Sequence, residues 1–177
     1  MIGKDSKYDV VIVGAGVSGL FMFHKLRNMG LSVLVIEKSD ELGGTWNWNR
    51  YPGARCDIPS LEYSYQFDED LQQEWNWSEK YSAGPEILEY LNHVADRFDL
   101  KKDINFEEEV VEAKFNEANS QWSIKTSKQE YQTKFCIFAT GCLSVPNKPE
   151  IEGLESFEGE LLHTATWPRD EVDLIGK

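Results

Sequence analysis

Cysteine is scarce in this chain. Only Cys56, Cys136 and Cys142 occur among 177 residues, and no two form a CxxC pair. That excludes a disulfide framework and reads as reduced thiols in a cytoplasmic protein. Histidine is as rare: His24, His93 and His163 are scattered and, taken with the cysteines, give no metal-ligand spacing, so no metal is expected. No apolar stretch approaches the roughly eighteen residues a membrane span needs. Lys4 and Lys7 precede an apolar run as in a signal peptide, but Asp5 and Asp9 interrupt it, so secretion is not expected. Positive charge is also in short supply, with 18 Lys and Arg against 31 Asp and Glu and a net charge of −13. Such a surface repels nucleic acid and anionic lipid, which excludes both as expected partners. The acidic run Glu107-Glu108-Glu109 reads as a solvated strand or loop face. Repeats and low-complexity segments are absent. The length suits one α/β domain with a real core and leaves no comfortable room for two dinucleotide-binding domains.

What is present is concentrated near the start, in YDVVIVGAGVSG from Tyr8 to Gly19. The apolar run Val10 to Val13 predicts a strand, and a helical pattern is expected from Leu20 to about Met29. Between them, Gly14 permits the tight turn and Gly16 lets backbone approach a pyrophosphate. Gly19 allows close packing of helix on strand. The helix then offers N–H groups and its positive end to phosphates. Gly30 stops that helix, a second strand runs from Ser32 to Ile36, and Glu37 follows about twenty residues after the glycines. A carboxylate there accepts hydrogen bonds from a ribose 2′-hydroxyl and repels a 2′-phosphate, favouring FAD or NAD over NADP.

The stretch Lys38 to Ser60, KSDELGGTWNWNRYPGARCDIPS, reads as a long ordered loop too rich in large rings for a linker. Gly43-Gly44 offers close backbone approach at a ligand, and the rings line a pocket over a flat cofactor. Leu61 to Tyr81 reads as a surface excursion pinned by aromatic anchors. Pro85 to Phe98 predicts a helix with Ile87, Leu88, Leu91, Val94, Ala95 and Phe98 on one stripe and a solvent-facing His93. From Asn105 to Thr126 alternating residues predict a small antiparallel excursion, with Val111, Ala113 and Phe115 before the turn and Trp122, Ile124 and Thr126 after it. Phe135 to Ala139 reads as a buried parallel strand ending in Ala139-Thr140-Gly141, small residues that leave room for a ligand at the sheet's crevice.

The order of GAGVSG, Glu37, Gly43-Gly44 and Ala139-Thr140-Gly141 resembles the FAD half of two-dinucleotide-binding flavoproteins. Within that group, GGTWNWNRYPGARCDIPS resembles the flavin loop of Baeyer–Villiger monooxygenases. EWNWSEKY, PEILEYLNHVADRF and the pattern Phe157-x-Gly159-x-x-x-His163-x-x-x-Trp167-Pro168 fit the same family. The resemblance runs from Tyr8 to Lys177. One departure is Ala83-Gly84, where relatives commonly carry a glutamine before Pro85.

The resemblance implies a Rossmann-like α/β FAD-binding domain over residues 1–150, with a parallel sheet and an antiparallel β excursion over about 104–132. Residues 151–177 would be the connection toward an NADPH-binding domain, so the whole reads as an incomplete two-dinucleotide-binding-domain flavoprotein. Relatives use NADPH, FAD and O₂ to convert ketones to esters or lactones. By position, Gly14, Ala15, Gly16, Ser18 and Gly19 would hold the FAD pyrophosphate and Glu37 the adenosine ribose. Thr45, Trp46, Trp48, Asp57 and Tyr63 would border the riboflavin part, Gly44 would be a further cofactor contact, and Val110 would give backbone contact to the adenine side. Trp46 and Arg55 would lie near the nicotinamide cofactor. Asp57 would act in catalysis by orienting an arginine over the flavin, and that arginine and the NADPH site would lie in further sequence. The chain by itself would then not turn over. His163 reads as structural. Two rivals stay open: a flavin monooxygenase acting on nitrogen or sulfur, and a flavin- or nucleotide-binding module without turnover.

Overall fold

The structure, a computed structural model, describes residues 7–170 and 172–176. Lys4, Asp5 and Lys177 lie outside the described residues. Three parallel strands form around the glycine-rich turn: β1 (Lys7–Val13), β2 (Val33–Ile36) and β6 (Glu130–Phe138). In one sheet the order is β3-β2-β1-β6-β5-β4, with β3 (Ile104–Asn105), β4 (Val110–Asn116) and β5 (Gln121–Thr126). The first four neighbours pair in parallel and the last three antiparallel.

The expected antiparallel excursion is therefore part of the main sheet. Strand β6 serves both halves: its Glu130–Thr133 segment pairs with β5, and its later residues run beside β1 up to Val13↔Phe138. Asn105 also differs from expectation, since β3 pairs parallel with β2 as an edge strand and takes no part in the antiparallel hairpin. The alternating residues of the hairpin pair with Ala113 opposite Ile124 and Phe115 opposite Trp122, and the register shifts between Val110 and Glu112.

Side-chain alternation along β1 and β2 divides the core. Val10, Ile12, Val33 and Val35 face Leu20 and Phe23 of α1 (Val17–Asn28) and Tyr90, Leu91, Val94 and Ala95 of α4 (Gly84–Arg97). Val11, Leu34 and Ile36 face the other way, onto Ile124 and Tyr131. Helix α1 starts three residues before the expected Leu20, placing Ser18 and Gly19 in its first turn. It ends where Gly30, at φ +82°, donates its N–H to the Arg27 carbonyl. Phe135 and Phe138 are mostly exposed, so β6 is covered on one side only, unlike the fully buried strand its apolar run suggests.

The segment before α4 is more than a surface excursion. It carries α2 (Thr45–Trp48) and α3 (Glu69–Glu74), and Tyr65 and Leu71 sit inside the core. Tyr65 donates its hydroxyl to the Val17 carbonyl at 2.5 Å, while its N–H donates to the Tyr90 hydroxyl at 2.7 Å. His93 lies half-exposed beside Trp75 and 3.5 Å from Glu74, and so is not simply solvent-facing.

His24 of α1 is wedged between Phe67, at 4.2 Å between ring centroids, and Phe98 at 4.5 Å. Burial, with Arg27 nearby, holds its pKa below the usual histidine value against the opposing pull of Asp68. The unfolded chain then takes up this proton near pH 6.5, before the folded one does. Stability is thus expected to fall as pH drops below about 6.5. Urea titrations of His24→Gln should show a shallower acid loss, and an unchanged slope would contradict this.

Candidate dinucleotide-binding site

The glycine turn is built by contacts that leave no room for Cβ atoms. Gly14 lies at φ +104°, and a Cβ there would sit 2.6 Å from the Ala139 carbonyl oxygen; one at Gly19 would sit 1.9 Å from that of Gly14. Helix α1 thus presses onto the end of β1 at the point where β6 also ends. Gly16 is its N-cap, no side chain caps it, and its first turn carries no acid. Such an end is suited to an anion. Ser18 is exposed on this turn and Ala15 is buried.

Glu37 is the hub. Its carboxylate, 6% exposed, accepts the N–H of Ala15 at 2.7 Å and that of Ser39 at 2.8 Å. The acid therefore ties the glycine turn to the start of the loop that follows β2. Each oxygen uses one acceptor position in this and keeps capacity for a hydroxyl donor.

The aromatic loop continues from that hub. Gly43 donates to the Ala15 carbonyl at 3.0 Å, and Gly44 packs on Gly16, where a Cβ would lie 3.1 Å from the Gly16 Cα. Gly43 lies at φ +118°, and a Cβ there would meet Leu88 of α4 at 2.4 Å, so this glycine also packs against the next helix. The expected continuous loop is interrupted by α2, whose Asn47 is fully buried. Asn47 donates to Ser39 Oγ at 2.6 Å and to the Glu41 carbonyl, and Arg50 donates to its carbonyl and side-chain oxygens.

Asn47→Ala removes a buried side chain with these hydrogen bonds at both ends. An expected loss of about 2 kcal/mol would be read as a lower urea midpoint at unchanged slope.

Around α2 stand the remaining loop residues named from sequence. Thr45 and Trp48 are exposed, and Trp46 meets the half-buried Tyr63 edge-on at 5.6 Å between centroids. A Cβ on Gly84 would lie 3.3 Å from the Trp46 ring, so this small residue lets the indole rest against the start of α4. Arg55 and Asp57 both point outward while Cys56 between them is buried. Arg55 is already engaged, donating to Glu79 at 2.8 Å and to the Tyr81 carbonyl at 2.7 Å. Ser60 and Ser82, hydroxyl to hydroxyl at 2.8 Å, staple this part of the loop to the chain entering α4.

Two residues of this region were not legible beforehand. Asn47 sits in a run of aromatics that draws attention to the rings. Glu108, assigned to a solvated face, is 2% exposed. Its neighbours Glu107 and Glu109 are exposed as expected, but Glu107 adopts φ +55° and turns Glu108 inward. Val110 follows, half-buried at the start of β4. His163 caps a short turn at Thr164–Thr166, accepting the Ala165 N–H at 3.1 Å, and its other ring nitrogen lies 3.2 Å from the Asn147 carbonyl. Both nitrogens are used structurally.

The family profile described as pyridine nucleotide-disulphide oxidoreductase matches residues 11–176. The chain belongs to that family. Among its relatives, a Baeyer–Villiger monooxygenase of Pseudooceanicola batsensis is 43% identical over 178 residues, covering 99% of this chain and 32% of the relative. A phenazine N-monooxygenase of Lysobacter antibioticus is 41% identical over 180 residues, covering 100% of this chain and 33% of its own length. A solved structure described as oxidized steroid monooxygenase bound to NADP superposes with a TM-score of 0.91 at 51% identity, over 96% of this chain and 33% of that one. The chain spans about a third of the length of the curated relatives it matches. The resemblance read from the aromatic loop and the α/β fold expected with it both hold. Among the described residues, no helix is long and apolar enough to cross a membrane.

Proposed function

We propose that this chain binds FAD within an NADPH- and O₂-dependent monooxygenase that converts ketones to esters or lactones. The observation that carries the reading is the Glu37 hub. One buried acid joins the uncapped helix N-terminus, suited to a pyrophosphate, to the aromatic loop suited to a flavin. Gly14, Ala15, Gly16, Ser18 and Gly19 hold the pyrophosphate, Glu37 takes the ribose hydroxyls, and Val110 meets the adenine side. Gly44, Thr45, Trp46, Trp48, Asp57 and Tyr63 border the flavin, with Trp46 and Arg55 toward the nicotinamide.

When bound, FAD would supply the redox chemistry, hydride acceptance from NADPH and activation of O₂. The chain's own part is to bind, orient and exclude water. Glu79 and the Tyr81 carbonyl fix the Arg55 guanidinium, a donor suited to nicotinamide phosphate or carboxamide oxygens. Asp57, exposed between the buried anchors Cys56 and Ser60, acts by orienting an arginine elsewhere in the protein. Residues 151–177 form the connection toward the NADPH-binding domain, and the 177 residues alone do not turn over. The protein works in the cytoplasm on a small ketone, without a nucleic-acid or membrane partner.

The test is an absorbance spectrum of the purified chain after loading with FAD and desalting. A flavin band near one equivalent per chain supports the reading, and a folded chain that emerges colourless contradicts it. NADPH oxidation by the 177 residues, stimulated by a ketone, would contradict the division of labour. The phenazine N-monooxygenase relative favours one second reading, oxygenation of a ring nitrogen. Product analysis with the full-length protein, offered a cyclic ketone and a phenazine, decides between them.

A further inference from the structure

We infer that Glu108 is the positioning residue for the adenosine end of this site, a role that rests on the FAD reading above. Its carboxylate is buried with neutral donors around it: Thr126 Oγ1 at 2.6 Å, the Tyr131 hydroxyl at 3.0 Å and Asn105 Nδ2 at 3.0 Å. No cation joins it among the ion pairs of the described residues. A buried carboxylate without a counter-charge is costly, and so is the left-handed backbone of Glu107 that delivers it there. A leucine at 108 would avoid the buried charge but would leave the Thr126, Tyr131 and Asn105 donors without this acceptor. What the carboxylate adds is a directional clamp. It gathers β3, β5 and β6 at one point, and that point is bonded to the segment carrying Glu37.

The links are specific. Glu37 donates its N–H to the Asn105 carbonyl at 2.8 Å, and Glu108 donates its own to the Glu37 carbonyl at 2.9 Å. Glu107 donates to the Ser39 carbonyl at 2.8 Å. Residues 37–39 are thus held from one side by 105–108, and the Glu37 carboxylate then reaches Ala15 in the glycine turn. Two residues after Glu108 comes Val110, the proposed adenine contact. One internal acid sets both the ribose acid and the adenine backbone.

The test is Glu108→Gln, which keeps the shape but turns the oxygen facing Asn105 into a second donor. Amide hydrogen exchange is read by NMR at Ala15 and Ser39, whose N–H groups the Glu37 carboxylate accepts. Exchange is expected to speed up about tenfold at these two, with Val11 and Val94 in the core unchanged. Affinity for FAD, followed by flavin fluorescence, should fall about tenfold. Tyr131→Phe, which keeps the ring and removes one donor, should move the same amides less and remains informative if Glu108→Gln folds poorly. Unchanged exchange at Ala15 and Ser39, or equal acceleration at Val11 and Val94, overturns the inference by reducing Glu108 to a general core anchor. If the wild-type chain takes up no FAD, the function reading fails, and the exchange pattern alone still decides the positioning.

Discussion

Glu37→Ala is expected to leave the chain unable to keep FAD through desalting and to lower its unfolding midpoint. The carboxylate accepts two backbone N–H groups in a buried setting, from Ala15 and Ser39. Hydrogen bonds to a charged group contribute about 1.5–3 kcal/mol each, and removing the acceptor strands two buried donors. A loss of about 3 kcal/mol in stability is expected by urea titration, with FAD affinity down at least about a hundredfold. Glu37→Gln keeps one acceptor and should fall between wild type and alanine in both measurements. The two readouts separate two roles. Lower stability with unchanged FAD affinity would make Glu37 a structural tie and remove it from the ribose.

The second large effect concerns a single methyl group. In an ordinary helix, glycine to alanine stabilises by about 1 kcal/mol. Gly19→Ala in α1 is expected to do the reverse, destabilising by about 3 kcal/mol through overpacking. Its Cβ would sit 1.9 Å from the Gly14 carbonyl oxygen, so helix and turn must separate. For a chain of this size that means a melting temperature lower by about 10 °C. Gly30→Ala is the control: its φ of +82° strains alanine, but nothing lies within 4 Å of the new atom, and about 1 kcal/mol is expected. Equal losses at the two positions would show that backbone conformation, and not the close approach of helix and turn, dominates at Gly19.

The glycine turn, its flanking strands and Glu37 were legible because each leaves a short-range signature. Glycines mark positions without room for Cβ, β1 and β2 read as apolar runs, and the acid follows at a fixed distance. Glu108 left no such signature. Three successive acids look solvated, and burial of the middle one depends on partners 18 and 23 residues downstream. At Gly43 the glycine signals a close approach but does not name the neighbour, and Leu88 from the next helix is one that only the fold reveals. Asn47 was hidden among rings, and the shared strand β6 was hidden because half its partners come from the start of the chain and half from a neighbouring hairpin.

That shared strand bears on how the molecule is made. Residues 7–36 can collapse early as a strand-helix-strand unit, since their contacts are local. The neighbour that completes β1 is not synthesised until residue 138, and Gly14 meets the Ala139 carbonyl one residue later. On the ribosome the glycine turn therefore emerges well before the strand that locks it. Until β6 arrives, β1 has one bare edge, open to other chains. Pairings this distant in sequence are also slow to form. Expression at low temperature and with chaperones should consequently raise the yield of folded chain more than any change to its surface.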